Sequence, residues 1–272
     1  MPSNIINVLF IADIVGRIGR RLIVEKLESI KKEENITFVI ANGENAAGGI
    51  GLTSDIAYHL FQAGVDIITS GNHIWEKHDI YPVLEKEARL LRPYNYPERV
   101  LGHGYSFIER TCMTLAVINL EGRTFMRTIE CPFQALERLL PIIKKKTDVI
   151  LIDFHAECTA EKKSFAYYFD GQVTAIIGTH THVQTADEQL LPGGTAYITD
   201  AGMTGAHKSV IGFEIPSSIY RFLTQMPAKL NPAREDPRIE GVIISIDSQT
   251  SKPVSIRRYQ YIKELTNITF SG

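Results

Sequence analysis

Two histidines separated by one residue, His180 and His182, close the run Gly178-Thr179-His180-Thr181-His182 at the end of an apolar stretch. Imidazole is largely neutral near physiological pH and is the commonest metal ligand in proteins. If this run continues as a strand, side chains two apart share a face, and both rings converge on one ion or on two adjacent ones. The chemistry open to such a pair is metal-assisted, provided that other donors join it.

Other donors end other apolar runs. One run finishes in Asp13, a second in Asn42-Gly43-Glu44-Asn45, a third in Gly71-Asn72-His73 and a later one in Asp153-Phe154-His155. Ligands gather at the carboxyl ends of strands in α/β folds, so these endings can meet in one cleft although they are far apart in sequence. A bridging carboxylate, imidazoles and amide or carboxylate oxygens suit two ions roughly 3.5 to 4 Å apart, which clamp a phosphoryl group and activate a water. The set lacks thiolates, which favours Mn, Fe or Zn. Taken singly, Asp13 is also a helix cap, Asn45 a turn residue and Asn72 a residue that bonds its own backbone. Their joint placement at strand ends is what points to metal.

The elements that must position these residues follow from periodicity. Strands are predicted over 8–12, 38–41, 67–69, 149–153 and 175–177, alternating with helices over 18–31, 54–63, 80–91, 132–146 and 161–169. A small excursion at about 92–131, rich in Pro and Gly, holds strand-like pieces over 105–109 and 114–119. Further strands over 196–199, 241–246 and 254–261 make the end β-rich. The expected fold class is therefore α/β, with two stacked mixed β-sheets flanked by helices, in one domain over 1–272. Residues 231–237 read as a surface loop. Gly16-Arg17-Ile18-Gly19 has the look of a dinucleotide loop, but Ile14 stands where its first glycine is required. Gly48-Gly49-Ile50-Gly51 reads as a tight turn or an approach loop for substrate.

Composition narrows the partners. The chain has 272 residues, 44% of them hydrophobic, with a formal net charge of -2, so no global basic field favours duplex nucleic acid. Cys112, Cys131 and Cys158 are odd in number and widely spaced, which argues for reduced thiols and against a disulfide framework. Met1 to Asn4 carries no basic region, and the apolar run after it is short and broken by Asn7 and Asp13. Neither a signal peptide nor a membrane span is expected, and the reading is cytoplasmic.

Taken in order, Asp13, Gly43-Glu44-Asn45, Gly71-Asn72-His73, His155 and Gly178-Thr179-His180-Thr181-His182 resemble the binuclear calcineurin-like metallophosphoesterases over most of the chain. More narrowly, five stretches are similar to the bacterial YmdB-type family: Asn42-Gly43-Glu44-Asn45-Ala46, Arg92-Pro93-Tyr94-Asn95-Tyr96-Pro97, Asp153-Phe154-His155-Ala156-Glu157, Thr181-His182-Val183-Gln184-Thr185-Ala186-Asp187 and Asp200-Ala201-Gly202-Met203-Thr204-Gly205. The resemblance implies the calcineurin-like fold and a cytoplasmic phosphodiesterase acting on cyclic nucleotides, 2′,3′-cyclic ones included, with a link to RNA turnover and biofilm control. Two departures stand out. Val15 occupies the third position of the superfamily's Asp-x-His motif, and Glu44 replaces the Asp of its Gly-Asp motif.

Carried over residue by residue, the resemblance gives one divalent ion to Asp13, Glu44, Asn45 and His182 and the other to Glu44, Asn72, His155 and His180, with Glu44 bridging. Iron or manganese is the expectation, with zinc and magnesium as alternatives. A bridging hydroxide is expected to attack phosphorus while His73 protonates the leaving oxygen; His73 has a supporting hydrogen bond as its alternative role. Arg92, Asn95, Tyr96 and His207 are candidate substrate contacts, with a proline-flanked structural corner as the alternative for the first three. The readings that remain open are an RNA nuclease or phosphomonoesterase using the same cleft, and a metal-binding regulatory protein. RNA and a homo-oligomeric assembly stay open as partners.

Overall fold

The protein is described by a computed structural model over residues 4–110 and 113–263. Cys112 and Met1 to Ser3 lie outside the described residues. In chain order the elements are β1 (Ile5–Ile11), β2 (Asp13–Ile14), α1 (Gly16–Glu33), β3 (Ile36–Asn42), α2 (Ser54–Gln62), β4 (Ile67–Thr69), α3 (Tyr81–Lys86), β5 (Tyr105–Arg110), β6 (Met113–Glu121) and α4 (Pro132–Ile143). They continue with β7 (Ile150–His155), α5 (Thr159–Tyr168), β8 (Ala175–Thr179), β9 (Gln189–Leu190), β10 (Ala196–Ile198), β11 (Met203–Ala206), α6 (Ile215–Thr224), β12 (Pro237–Asp247) and β13 (Pro253–Ile262).

The strands form two mixed sheets. One has seven strands in the order β2-β11-β12-β1-β3-β4, with β13 on the free edge of β12; the other has six in the order β5-β6-β7-β8-β10-β9. Strands β1, β3 and β4 are parallel, as are β6, β7, β8 and β10. The hairpin β5–β6 extends the second sheet through the pairing of β6 with β7.

Alternation along the strands explains the layering. In β1, Val8 and Phe10 join Phe38, Ile40, Val117, Leu151 and Ile177 in the core between the sheets. Leu9 and Ile11 pack outward with Leu22, Ile23 and Leu27 of α1. On the far side, Ile118, Ile150 and Ile152 meet Leu136 and Leu139 of α4 and Phe165 of α5. Strands with apolar residues on both faces read as continuous apolar runs, which is why they were legible. Each fully buried Leu, Ile, Val or Phe adds about 1.5–3 kcal/mol. The strands that carry the candidate donors all end toward one rim.

The structure departs from the sequence reading in three places. The helix expected over 80–91 is short, α3 with Pro82 in its first turn, because Leu90 and Leu91 bridge in strand fashion to Ile68 and His103. Met203–Ala206, for which no strand was expected, form the buried strand β11. Helix α6 was not expected. The glycines of the dinucleotide-like loop serve packing: a Cβ on Gly19 would lie 2.2 Å from the carbonyl oxygen of Thr204 on β11.

Candidate metal centre

Asp13 opens β2, Glu44 and Asn45 follow β3, Asn72 follows β4, His155 ends β7, and His180 and His182 follow β8. These side chains converge. His155 Nε2 lies 3.1 Å from Glu44 Oε1, 3.1 Å from Asn72 Oδ1 and 3.1 Å from His180 Nδ1. Beside this group, Asn45 Nδ2 is 3.1 Å from both Glu44 Oε1 and His182 Nε2, and His182 Nε2 is 3.6 Å from Asp13 Oδ1. A half-turn of the carboxamide presents Asn45 Oδ1 to the same point. Glu44 thus touches both groups. A side chain on Gly71 would put its Cβ 2.1 Å from His155 Cδ2, so the close approach of β4's end to the imidazole requires glycine.

The strand expected to carry both histidines stops at Thr179, and this corrects the shared-face argument. His180 and His182 both have left-handed backbone, with φ of 98° and 65°. Such conformations cost non-glycine residues on the order of 1–3 kcal/mol and persist only where surroundings impose them. Here the surroundings are explicit. Buried Lys162 on α5 donates to the carbonyl of Thr179 at 2.7 Å and to Asp200 Oδ2 at 2.8 Å. Asp200 Oδ2 also accepts from the backbone N–H and hydroxyl of Thr181, at 3.1 and 2.8 Å. The N–H of His180 points to Asp13 Oδ2 at 3.3 Å.

Neighbouring bonds also fix which ring nitrogen faces the centre. His182 Nδ1 donates to the carbonyl of Ile211 at 3.0 Å, leaving the Nε2 lone pair inward. His155 Nδ1 meets Thr179 Oγ1 at 2.9 Å, and that hydroxyl donates to Asp153 Oδ1 at 2.6 Å. The hydroxyl therefore accepts from Nδ1–H and leaves Nε2 free, an outer-shell device that orients metal-binding imidazoles. Asp153 is fixed in turn by Thr69 Oγ1 and Asn42 Nδ2.

Burial opposes ionisation of Asp13, yet His182, His155 and the His180 N–H hold its carboxyl well below the usual carboxylate range. Burial likewise opposes charge on Glu44 and is outweighed by His155. The reciprocal effect pushes the His155 imidazole up to about 10 against its own burial, while burial and His155 push His180 down to about 3. Burial raises Asp153 to about 6. Three lone-pair donors face one imidazole nitrogen, which carries at most one proton, and Asp13 Oδ1 is buried without a hydrogen-bond partner. Electron pairs gathered around a shared space, with an orphaned carboxylate oxygen, are what a divalent cation needs. Glu44, His155 and His180 by themselves offer ligand atoms within 4.8 Å of one another. The residues present fit a metal.

The remaining candidates lie in different settings. His73 lines the cavity beside Glu44; its N–H donates to Glu44 Oε2 at 3.1 Å, and its Nδ1 has no hydrogen-bond partner. Arg92 is buried and donates to the carbonyls of Pro93, Tyr94, Val100 and Leu101. Asn95 is fully buried and holds the backbone of Glu121 and Glu130, and Tyr96 donates to Glu121 Oε2 at 2.9 Å. These three form the structural corner, away from the cavity lining. His207 faces the carbonyl of Met203 at 3.2 Å and is also absent from that lining. Val15, which stands in the third position of the Asp-x-His motif, packs against Gly205 and Gly212. Asp13 caps nothing, since the N-cap of α1 is Val15 without a side-chain bond.

Sequence reasoning missed Lys162, the role of Asp200, Glu157 and the wall made by α6. Glu157 Oε2 lies 3.0 Å from His180 Nε2 at the cavity edge. The cavity has a volume of about 660 Å³ and is lined both by the metal-type donors Glu44, Asn45, His180 and His182 and by Ser218, Arg221 and Phe222 of α6.

Comparison with known proteins places this geometry among relatives. The family model for YmdB-like proteins matches residues 9–259. A 2′,3′-cyclic-nucleotide 2′-phosphodiesterase of Bacillus subtilis strain 168 is 45% identical over 252 residues, 93% of this chain and 96% of that protein. A solved structure described as a novel phosphatase of Mycoplasma pneumoniae superposes with a TM-score of 0.90 at 34% identity, covering 96% of this chain and 95% of its own. A hypothetical protein from Thermus thermophilus superposes with a TM-score of 0.90 at 39% identity, covering 95% of this chain and 100% of its own.

Proposed function

The chain belongs to the YmdB-like family, and from that premise we propose that it is a metal-dependent phosphodiesterase of cyclic nucleotides, with 2′,3′-cyclic nucleotides as its first substrates. The observation that supports this most is the convergence on His155 Nε2 of Glu44, Asn72 and His180, each at 3.1 Å, beside the orphaned oxygen of Asp13. Asp13, Glu44, Asn45 and His182 would hold one divalent cation, and Glu44, Asn72, His155 and His180 the other. The nitrogen and oxygen donor set suits iron or manganese, with zinc and magnesium as competitors. When bound, such a pair supplies Lewis-acid charge for the phosphoryl oxygens and a water of lowered pKa.

The chain's own residues do the rest. His73, whose side chain lines the cavity beside Glu44 and whose buried Nδ1 faces Glu76 Oε1 at 3.9 Å, carries the proton that the departing ribose oxygen takes. Lys162 and Asp200 keep the two loop histidines in place, and Asp153 acts through Thr179 to keep the His155 tautomer. Among the described residues no helix is long and apolar enough to cross a membrane; a cytoplasmic setting belongs to this proposal and is read out by cell fractionation.

The deciding experiment is metal analysis of protein purified without chelator, joined to product assays on 2′,3′-cyclic AMP, a 3′,5′-cyclic nucleotide and short RNA. Two equivalents of metal with turnover strongest on the 2′,3′-cyclic diester is the expected result. Preference for RNA would move the substrate class to a nuclease, and metal without any turnover would move the protein to a regulatory role.

A further inference from the structure

The cavity has a wall that the metal chemistry leaves unused. It is built by α6, a helix of ten residues in which Ser218 alone is buried, although Phe222 and Leu223 are 75% and 81% exposed. Two consecutive side chains of α6, Arg221 and Phe222, line the cavity that holds Glu44, His180 and His182. Arg221 is the one Lys or Arg on the lining, and among the described residues it is in no ion pair. The wall is fastened to the metal-type donors: Ile211, in the segment leading to α6, accepts the His182 Nδ1 hydrogen bond at 3.0 Å while its side chain lines the same cavity. Phe213 pins that segment from below, where a Cβ on Gly49 would come within 2.7 Å of its ring.

We infer that α6 forms the nucleoside subsite of the cleft, with the Phe222 ring as the platform for the base and the Arg221 guanidinium as the cation over its edge or face. This rests on the phosphodiesterase reading for the position of the phosphate. An exposed aromatic ring and an unpaired, planar guanidinium are the groups that stack on nucleobases with little sequence preference. A cavity of about 660 Å³ accommodates a nucleotide with the phosphate at one end and the base at the other. A phosphoryl group needs only the donor end; the α6 end has a use when the substrate carries a base.

The test separates base from phosphate. Calorimetric binding to metal-loaded protein compares adenosine 3′-monophosphate with ribose 5-phosphate, for wild type, Phe222→Ala, Arg221→Gln and the control Leu223→Ala, which lies on α6 but off the lining. Base stacking of the usual size predicts that Phe222→Ala weakens the nucleotide at least about fivefold and the sugar phosphate less than about twofold. Arg221→Gln follows the same pattern more weakly, and Leu223→Ala changes neither. Kinetics on 2′,3′-cyclic AMP place the loss in KM, with kcat within about twofold. Equal changes for both ligands in Phe222→Ala, or none in either, overturn the subsite. Because binding is read directly, a wild type that binds the nucleotide but does not hydrolyse the diester refutes the reaction and not the subsite.

Discussion

Replacing Asp200 by Asn keeps the shape of the side chain and removes the charge that faces Lys162. The Lys162 side chain is 1% and that of Asp200 0% exposed, so the ammonium is left buried with neutral acceptors only, the Asn carboxamide oxygen and the carbonyl of Thr179, and no counter-charge. Breaking one half of a buried pair costs about 3–5 kcal/mol, a large share of the 5–15 kcal/mol typical of a folded domain. At about 2–4 °C per kcal/mol, the melting temperature should fall by roughly 6 to 20 °C. The loss reaches the centre because Asp200 also accepts the N–H and hydroxyl of Thr181, the residue between the two left-handed histidines. Metal content should fall with stability, most for the ion that uses His180. The assay is urea unfolding of Asp200→Asn, Lys162→Met and the double variant, with metal measured on the same samples. The double variant should recover at least about 1 kcal/mol relative to the sum of the singles, since it leaves no unpaired charge. Additive singles, or Asp200→Asn within about 1 kcal/mol of wild type with its metal intact, refute the strut.

Two further outcomes are expected. His73→Ala should retain metal and lose about 10² to 10⁴ in kcat on a cyclic nucleotide, with a smaller loss on a diester whose leaving group needs no proton; full activity on the nucleotide removes His73 from the reaction. Burial, aided by Glu44, pushes the Glu121 carboxyl up from 4.5 to about 7, against the pull of His155 and Tyr96. Between those values the unfolded chain has lost a proton that the folded chain keeps, so this group's contribution to stability is full below about pH 4.5 and is lost as pH rises toward 7. Glu121→Gln should therefore gain on wild type in melting temperature from pH 4.5 to 7.5, and parallel curves for the two proteins would contradict the assignment.

The donor set could be read from the sequence because each member ends an apolar run, where the layering of an α/β fold leaves few uses for a polar side chain. Asp13, Glu44, Asn72 and His155 are of this kind. Lys162 could not be found that way. In the pattern of α5 a lysine reads as a solvent-facing residue, and only the approach of β8 and the loop before β11 reveals that it is buried against Thr179 and Asp200. Arg92, Asn95 and Tyr96 were legible as a polar cluster, but type alone does not separate a substrate contact from a clamp on backbone carbonyls. Helix α6 escaped because helical reading relies on a face repeated against the core, and its apolar residues face solvent and the cavity instead.

The dihedral angles of His180 and His182 carry the further lesson that periodicity has no access to strain. Had β8 continued through His182, the two imidazoles would share a face about 6.6 Å apart along the strand and approach from one direction. The left-handed turn at His180 instead sends its Nδ1 to His155 and lets His182 Nε2 reach Asp13 and Asn45. In the proposed arrangement, two cation positions that share Glu44 need ligands arriving from two sides, which the straight strand does not provide. The left-handed backbone at these residues serves that proposed arrangement, and the buried Lys162–Asp200 pair is the part of the fold that sustains it.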